Sequence, residues 1–294
     1  MAEAKRILVA TDFSDQAAKA LEAALGLAER QKAEVHLVHA LEVALPLFEP
    51  YAVVVPADWV GEARKLAQEK LGEAHAAVTA RRLTGTTHLG DVPAAHAIAD
   101  RAREIGADLV VIGTHGHTGL KHVLLGSVAE RTVEYAPCSV WTVKGEAAAA
   151  APQTIVAGSD FSDGGGAAVA AAAEWARDFD AKLHLVHALQ IPMPLIAPYE
   201  VAIPEGVIEG ARREAQRQLD EVAQGLAGVT VTTELATTPA HAALVDAAQR
   251  LSAGLIVTGS RGLTGLKHAL LGSVAERTLR YAPCSVLTVR TAEA

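Results

Sequence analysis

The second half of this chain repeats the first. Residues 119–144 read GLKHVLLGSVAERTVEYAPCSVWTVK, and residues 265–290 read GLKHALLGSVAERTLRYAPCSVLTVR. Near the start of each half, residues 7–15 (ILVATDFSD) correspond to residues 155–163 (IVAGSDFSD). Self-similarity at a fixed spacing identifies a repeated structural unit. We therefore predict two domains, residues 1–145 and 152–294, joined by an Ala-rich linker at residues 146–151.

Short apolar runs alternate with helix-like segments within each half. In the first half we predict strands at residues 7–10, 35–40, 80–87, 109–112 and 139–143. We predict helices between them, at residues 15–30, 59–78 and 92–105 and from residue 127 onward. Such alternation predicts a parallel sheet with right-handed crossovers and helices on both faces. The predicted fold class is α/β, with two tandem five-stranded, Rossmann-like domains.

A glycine-rich loop follows the fourth predicted strand of each half. Its pattern is G-x2-G-x9-G-S, and a helix starts at the final serine. Glycines let backbone N–H groups approach an anion closely, and a helix N-terminus adds unpaired N–H groups and a positive dipole end. The pattern indicates phosphate binding. The residues that carry it are Gly113, Thr114, His115, Gly116, His117, Gly126, Ser127 and Val128, and in the second half Gly259, Ser260, Arg261, Gly262, Gly272, Ser273 and Val274.

The ends of the first two strands supply further candidates. Asp12 and Asp160 each follow a strand, where a carboxylate can accept bonds from a ribose hydroxyl or an exocyclic amine, or can bond its own backbone in a turn. The small residues Ala40 and Ala188 end the second strand of each half and leave room for a flat ring. Ligands bind beyond the carboxyl ends of parallel strands, where strand order reverses. If the first and fourth strands are neighbours, both groups of residues face one crevice.

Composition excludes several other classes. The net charge of −8 argues against nucleic acid as a partner, because phosphate backbones need a basic surface. The two cysteines occupy matching Ala-Pro-Cys-Ser-Val stretches, which is no disulfide framework and no zinc-ligand spacing. No apolar run reaches the ~20 residues of a membrane span, and we expect a soluble, cytoplasmic protein with no membrane partner. No catalytic motif or metal site stands out, so binding is better supported than turnover.

Together these residues resemble the universal stress protein family in its ATP-binding branch. The resemblance rests on the doubled glycine signature, the strand-end aspartates and the two Ala-Pro-Cys-Ser-Val strands. It implies that ATP, with or without Mg²⁺, binds in each half. It also implies that the adenosine end lies on Ala10, Thr11, Asp12 and Ala40, or on Gly158, Ser159, Asp160 and Ala188, and that the phosphates lie on the glycine loop. Related domains pair through their last strand, which implies an intramolecular pairing here and leaves a homodimer open.

The two halves differ in ways that bear on the second site. The second half carries Gly164, Gly165 and Gly166 at its first helix start, which weakens that helix by roughly 1 kcal/mol per glycine. Both glycine loops are intact, so we predict two competent sites. The function implied is a nucleotide-dependent sensor or regulator in the stress response. The alternatives are a slow ATP hydrolase, an adenylating enzyme of the related adenine-binding α/β group, or a flavin-binding electron carrier.

Overall fold

A computed structural model describes residues 4–42, 57–114, 125–145, 151–190, 204–260 and 271–291. The chain divides into two compact units, residues 2–149 and residues 150–294. Each unit is an α/β domain in which a parallel sheet alternates with helices, as the sequence predicts. No helix among the described residues combines the length and the apolar character needed to cross a bilayer.

The first unit contains five described strands and four helices in alternation. Its elements are β1 (Arg6–Ala10), α1 (Asp15–Gln31), β2 (Glu34–Ala40), α2 (Ala57–Ala80), β3 (Thr87–Gly90), α3 (Ala94–Ile105), β4 (Leu109–Gly113), α4 (Ser127–Tyr135) and β5 (Ser139–Val143). The strand order is β3-β2-β1-β4-β5, and every pair is parallel. The central strands β1 and β4 are buried on both faces, which explains their continuous apolar runs.

The second unit has the same plan. Its elements are β6 (Thr154–Gly158), α5 (Asp163–Phe179), β7 (Lys182–Ala188), α6 (Glu205–Gln224), β8 (Val231–Ala236), α7 (Ala240–Arg250), β9 (Leu255–Gly259), α8 (Ser273–Tyr281) and β10 (Ser285–Val289). The strand order is β8-β7-β6-β9-β10, again all parallel.

The strand predicted at residues 80–87 is misplaced. Helix α2 extends to Ala80, and β3 begins only at Thr87. The carbonyl groups of Thr84 and Thr86 do accept bonds from β2, at 2.8 Å in each case. Between them the backbone of Gly85 lies so close to β2 that an added Cβ would come within 1.8 Å of the Val35 carbonyl oxygen. The approach to β3 is therefore a glycine-dependent connection alongside β2. β3 is an edge strand, since it ends the strand order of its unit.

The three glycines at the start of α5 do not delay the helix. It begins at Asp163, with the side chain of Ser162 accepting a bond from the Gly165 amide at 3.1 Å. Gly165 also makes room for a neighbour, because an added Cβ would lie 2.3 Å from Asp160 Oδ1. The cost in helix propensity is thus offset by a hydroxyl cap and by the close approach of a carboxylate.

Candidate functional site

The reversal of strand order in the first unit lies between β1 and β4. From β1 the chain crosses to β2 on one side, and β4 lies on the other, with Ile7 opposite both Val35 and Leu109. The first and fourth strands are therefore neighbours, which is the condition under which both groups of candidate residues face one crevice. The carboxyl ends of β1, β2 and β4 therefore open into one crevice, where ligands of open α/β sheets bind.

A cavity of about 580 Å³ occupies this crevice. Its volume lies within the range of small-molecule sites, roughly 300–1,000 Å³. All nine of the predicted first-half residues that the structure describes line it: Ala10, Thr11, Asp12, Ala40, Gly113, Thr114, Gly126, Ser127 and Val128. The predicted residues His115, Gly116 and His117 lie outside the described part of the chain.

The turn after β1 is built by side chains bonding to nearby backbone. Asp12 Oδ1 accepts bonds from the amide of Ser14 at 3.0 Å and from its hydroxyl at 2.5 Å. Thr11 Oγ1 accepts from the Phe13 amide at 3.0 Å, and Phe13 adopts a left-handed backbone with φ of 65°. Ser14 caps α1 by accepting a bond from the Ala17 amide at 3.3 Å. Asp12 therefore forms the turn, which is one of the two roles that the sequence left open, and it also faces the cavity.

The glycine loop contributes a close approach and a helix start. An added Cβ at Gly113 would lie 3.2 Å from backbone atoms of Gln16, so a side chain there would press against α1. The Gly126 amide donates to the Thr114 carbonyl at 2.8 Å, which ties the two ends of the loop together. Helix α4 starts immediately after, at Ser127, and no side chain caps its N-terminus among the described residues. The first amides of α4 thus meet the cavity together with the positive end of the helix dipole.

The two histidines of β2 have different roles. His36 is 8% exposed and points away from the cavity, with Nδ1 accepting from the Thr86 amide at 3.2 Å. Burial lowers the pKa of His36 from its usual value, against a smaller opposing effect of the neighbouring Glu34. His39 lies on the other face and lines the cavity, with Nδ1 2.8 Å from the Thr11 carbonyl oxygen. Because a carbonyl can only accept, Nδ1 of His39 carries a proton.

Several lining residues were not predicted from the sequence. His39, Leu41 and Glu42 extend the β2 end of the cavity. Glu42 Oε1 accepts a bond from the Ala94 amide at 2.6 Å and so joins the end of β2 to the N-terminus of α3. These contacts cross between elements far apart in the chain, and no local pattern marks them. For His39, the position beside Ala40 at the end of the second strand is the one sequence signal that points to the cavity.

The second unit forms a matching cavity of about 560 Å³. Eight predicted residues line it: Gly158, Ser159, Asp160, Ala188, Gly259, Gly272, Ser273 and Val274. Ser260 does not; it is 5% exposed, and its backbone bonds to Val289 and Gly272. Arg261 and Gly262 lie outside the described residues. His187 repeats the histidine contact, with Nδ1 2.8 Å from the Ser159 carbonyl oxygen.

Several lining positions differ between the two cavities, and two of them bear on the ligand. Gly165 replaces Ala17, and Gln190 replaces Glu42. The second cavity therefore lacks the carboxylate that the first places near the end of its second strand. Neither unit holds a group of three or more potential metal ligands within the part of the chain that the structure describes.

Comparisons with known proteins agree with this doubled architecture. The sequence model of the universal stress protein family matches residues 3–144 and again residues 152–290. Universal stress protein YxiE of Bacillus subtilis is 32% identical over 145 residues, which are 47% of this chain and 98% of that protein. Universal stress protein MJ0531 of Methanocaldococcus jannaschii is 33% identical over 150 residues, covering 48% of this chain and 82% of that protein.

A solved structure extends the comparison to both halves. The crystal structure of a universal stress protein from Archaeoglobus fulgidus superposes with a TM-score of 0.68 at 19% sequence identity. The superposition covers 98% of this chain and 97% of that one. At this identity the likeness concerns the fold alone.

Proposed function

Since this chain belongs to the universal stress protein family and carries two tandem family domains, we propose that each domain binds an adenine nucleotide, ATP foremost. We propose further that nucleotide occupancy makes the protein a sensor or regulator in the cytoplasmic stress response. The observation that carries the proposal is the cavity at the strand-order reversal, present in both halves and lined by the strand-end aspartates and the described glycines of the signature.

The phosphate end of the nucleotide is assigned to the glycine loop and α4. The amides at the start of α4 and the exposed hydroxyl of Ser127 are donors aimed at an anion. Gly113 lines the cavity at the start of the loop, and an added Cβ there would lie 3.2 Å from backbone atoms of Gln16 in α1. The loop residues His115, Gly116 and His117, and Arg261 and Gly262 in the second half, are proposed to complete the phosphate cradle.

The adenosine end is assigned to the carboxyl ends of β1 and β2. Ala10, Ala40 and Ile98 give this part of the cavity apolar walls of the kind that a flat ring packs against. Asp12 faces the same space, where a carboxylate can accept a bond from a ribose hydroxyl. In the second domain the corresponding residues are Gly158, Asp160 and Ala188.

The remaining parts of the proposal rest on the family resemblance. We propose that the two domains pair within the chain, that a homodimer can form, and that Mg²⁺ accompanies the triphosphate. ATP hydrolysis is proposed to be slow at most, because the sequence carries no known catalytic motif. Nucleic acid and membranes are not proposed as partners.

Equilibrium dialysis with labelled ATP tests the proposal. We expect saturation near two nucleotides per chain, because both cavities retain their lining. Mass spectrometry of small molecules released by denaturing the purified protein gives an independent check, and we expect adenine nucleotide. A stoichiometry near one would reject the second site, and no binding at millimolar ATP would reject the function.

A further inference from the structure

A second cleft lies in the second domain, between α5 and α6. It encloses about 410 Å³ and is lined by Phe161, Gly166, Val169, Gln218, Glu221 and Leu226, among others. We call this space the α5–α6 cleft. Phe161 lines this cleft, and its ring stacks on that of His187 in the nucleotide cavity, with centroids 4.3 Å apart. Ser159 lines both spaces.

In the first domain, a lysine side chain lies over the equivalent phenylalanine ring. Phe13 corresponds to Phe161, and Lys70 corresponds to Gln218, as the buried pairs Ala67 with Ala215 and Leu71 with Leu219 establish. The ammonium of Lys70 lies over the Phe13 ring, 5.5 Å from its centroid. A cation within about 6 Å of an aromatic face is attracted by the negative charge of that face. The first domain therefore supplies a tethered cation to its own phenylalanine.

The second domain has no cation at the equivalent position. Gln218 is neutral, and no lysine or arginine lines the cleft within the described residues. On the α5 side of the cleft, each lining side chain is smaller than its counterpart in the first domain. Gly166 stands for Ala18, Val169 for Leu21 and Ala170 for Glu22. On the α6 side Val222 and Leu226 are larger than their counterparts Ala74 and Val78. A Cβ added at Gly166 would meet no atom within 4 Å, so this glycine leaves the cleft open.

Acceptors for a cation remain at the rim. Glu221, which corresponds to Glu73, keeps its carboxylate, and its Oε1 atom bonds Arg217. Gln218 donates from Nε2 to Glu214 at 2.8 Å, so its carbonyl oxygen is the atom that can accept from a ligand. The cleft thus combines an aromatic face, aliphatic walls and oxygen acceptors.

We propose that the α5–α6 cleft binds a small organic cation, a primary amine with an apolar body. Its ammonium takes the place over Phe161 that Lys70 holds over Phe13, and its apolar part packs against Val169, Val222 and Leu226. Apart from Ser159, its lining residues differ from those of the nucleotide cavity, and the proposal does not depend on nucleotide binding.

Calorimetric titration of the full chain, without nucleotide, tests the charge requirement. The probes are phenylethylamine and 3-phenylpropionate, which share an apolar body and carry opposite charges. We expect one phenylethylamine per chain, bound at least tenfold more tightly than the carboxylate. Equal affinities, or tighter binding of the carboxylate, would overturn the proposal.

Two variants locate the site. Gln218→Lys restores a tethered ammonium, and Gly166→Leu fills the cleft from α5, so each should weaken phenylethylamine binding at least tenfold. Ala18→Leu, at the exposed equivalent of Gly166 in the first domain, is the matched control and should leave binding unchanged. Circular dichroism melts establish that each variant is folded. Either variant alone tests the location. Unchanged phenylethylamine binding in a folded Gln218→Lys or Gly166→Leu chain would overturn the proposal.

Discussion

His39 donates its Nδ1 proton to the carbonyl oxygen of Thr11 across 2.8 Å, and so ties the end of β2 to the turn after β1. His187 and Ser159 repeat the contact at the same distance in the second domain. Both histidines line the proposed nucleotide cavities. The bond sets the orientation of each imidazole, which also packs against the phenylalanine of the turn, with ring centroids 4.4 Å apart for Phe13 and His39.

Replacing His39 with alanine should weaken ATP binding in the first domain about fivefold to tenfold. The change removes one hydrogen bond, typically about 1 kcal/mol, and loosens the turn that places Asp12. His39→Asn is the matched control, because its amide nitrogen can take the place of Nδ1, and it should retain most of the affinity. The measurement is ATP titration in a chain whose second site is disabled by Val274→Glu. Equal affinity of the alanine and asparagine variants would show that the bond is irrelevant to binding.

A carboxylate placed at the start of α4 should separate binding from folding. Val128 is 39% exposed, lines the first cavity and lies in the first turn of the helix. Val128→Glu should leave stability unchanged or slightly raised, since helix N-termini favour negative charge. The same charge repels triphosphate, so the ATP affinity of the first site should fall at least about tenfold, or 1.4 kcal/mol.

The neutral variant Val128→Gln controls for the change in shape and should bind ATP nearly as well as the original chain. Val274→Glu is the equivalent test in the second domain, where Val274 is 37% exposed. Unfolding midpoints measured beside the titrations keep the two effects apart. If Val128→Glu bound ATP as tightly as Val128→Gln, the phosphates would not lie at this helix.

The sequence predicts those parts of the site that are encoded locally. The strand over Ser139–Val143 and the helix start at Ser127 each follow from neighbouring residues, and the structure has them where predicted. The prediction of two cavities follows from the repeat, because each half carries the same strand-end residues.

What the sequence does not predict depends on approaches between distant segments. The bond from Glu42 to the Ala94 amide and the bond from His39 to Thr11 need the folded sheet. The late start of β3 is linked to the close approach of Gly85 to Val35. Strand propensities of single residues do not predict such an approach. Side chains alternate along a strand, so His36 and His39 must lie on opposite faces of β2, but the structure is needed to show that His39 faces the cavity.

The buried His36 should make the stability of the first domain depend on pH. Burial, the largest effect, lowers its pKa in the folded state below the unfolded value near 6.5, while Glu34 acts in the opposite direction. As the pH falls below about 6.5, position 36 therefore binds more protons in the unfolded chain than in the folded one. The contribution of His36 to the free energy of unfolding is complete above about pH 6.5. It is lost as the pH falls toward the folded pKa.

Urea unfolding between about pH 7.5 and 5 measures this dependence. His36→Gln has no group that titrates in this range at that position, so its unfolding midpoint should fall less steeply with acid than that of the original chain. The comparison uses the difference between the two curves, because other histidines titrate in the same range. Parallel curves would mean that the His36 imidazole takes up protons as readily in the folded state as in the unfolded one.

Two neighbouring glycines of α5 should respond to alanine in opposite directions. Gly166→Ala should raise stability by roughly 0.5–1 kcal/mol, because a Cβ there meets nothing within 4 Å and alanine favours the helix. Gly165→Ala should lower stability by roughly 1–2 kcal/mol despite the same gain in propensity. The reason is that its Cβ would lie 2.3 Å from Asp160 Oδ1 and 3.1 Å from the Asp160 amide nitrogen.

Displacing Asp160 should also weaken ATP binding in the second domain and leave the first unaffected. Urea midpoints and ATP titrations of the two variants give both readouts, and a stabilising Gly165→Ala would show that the turn before α5 yields without cost.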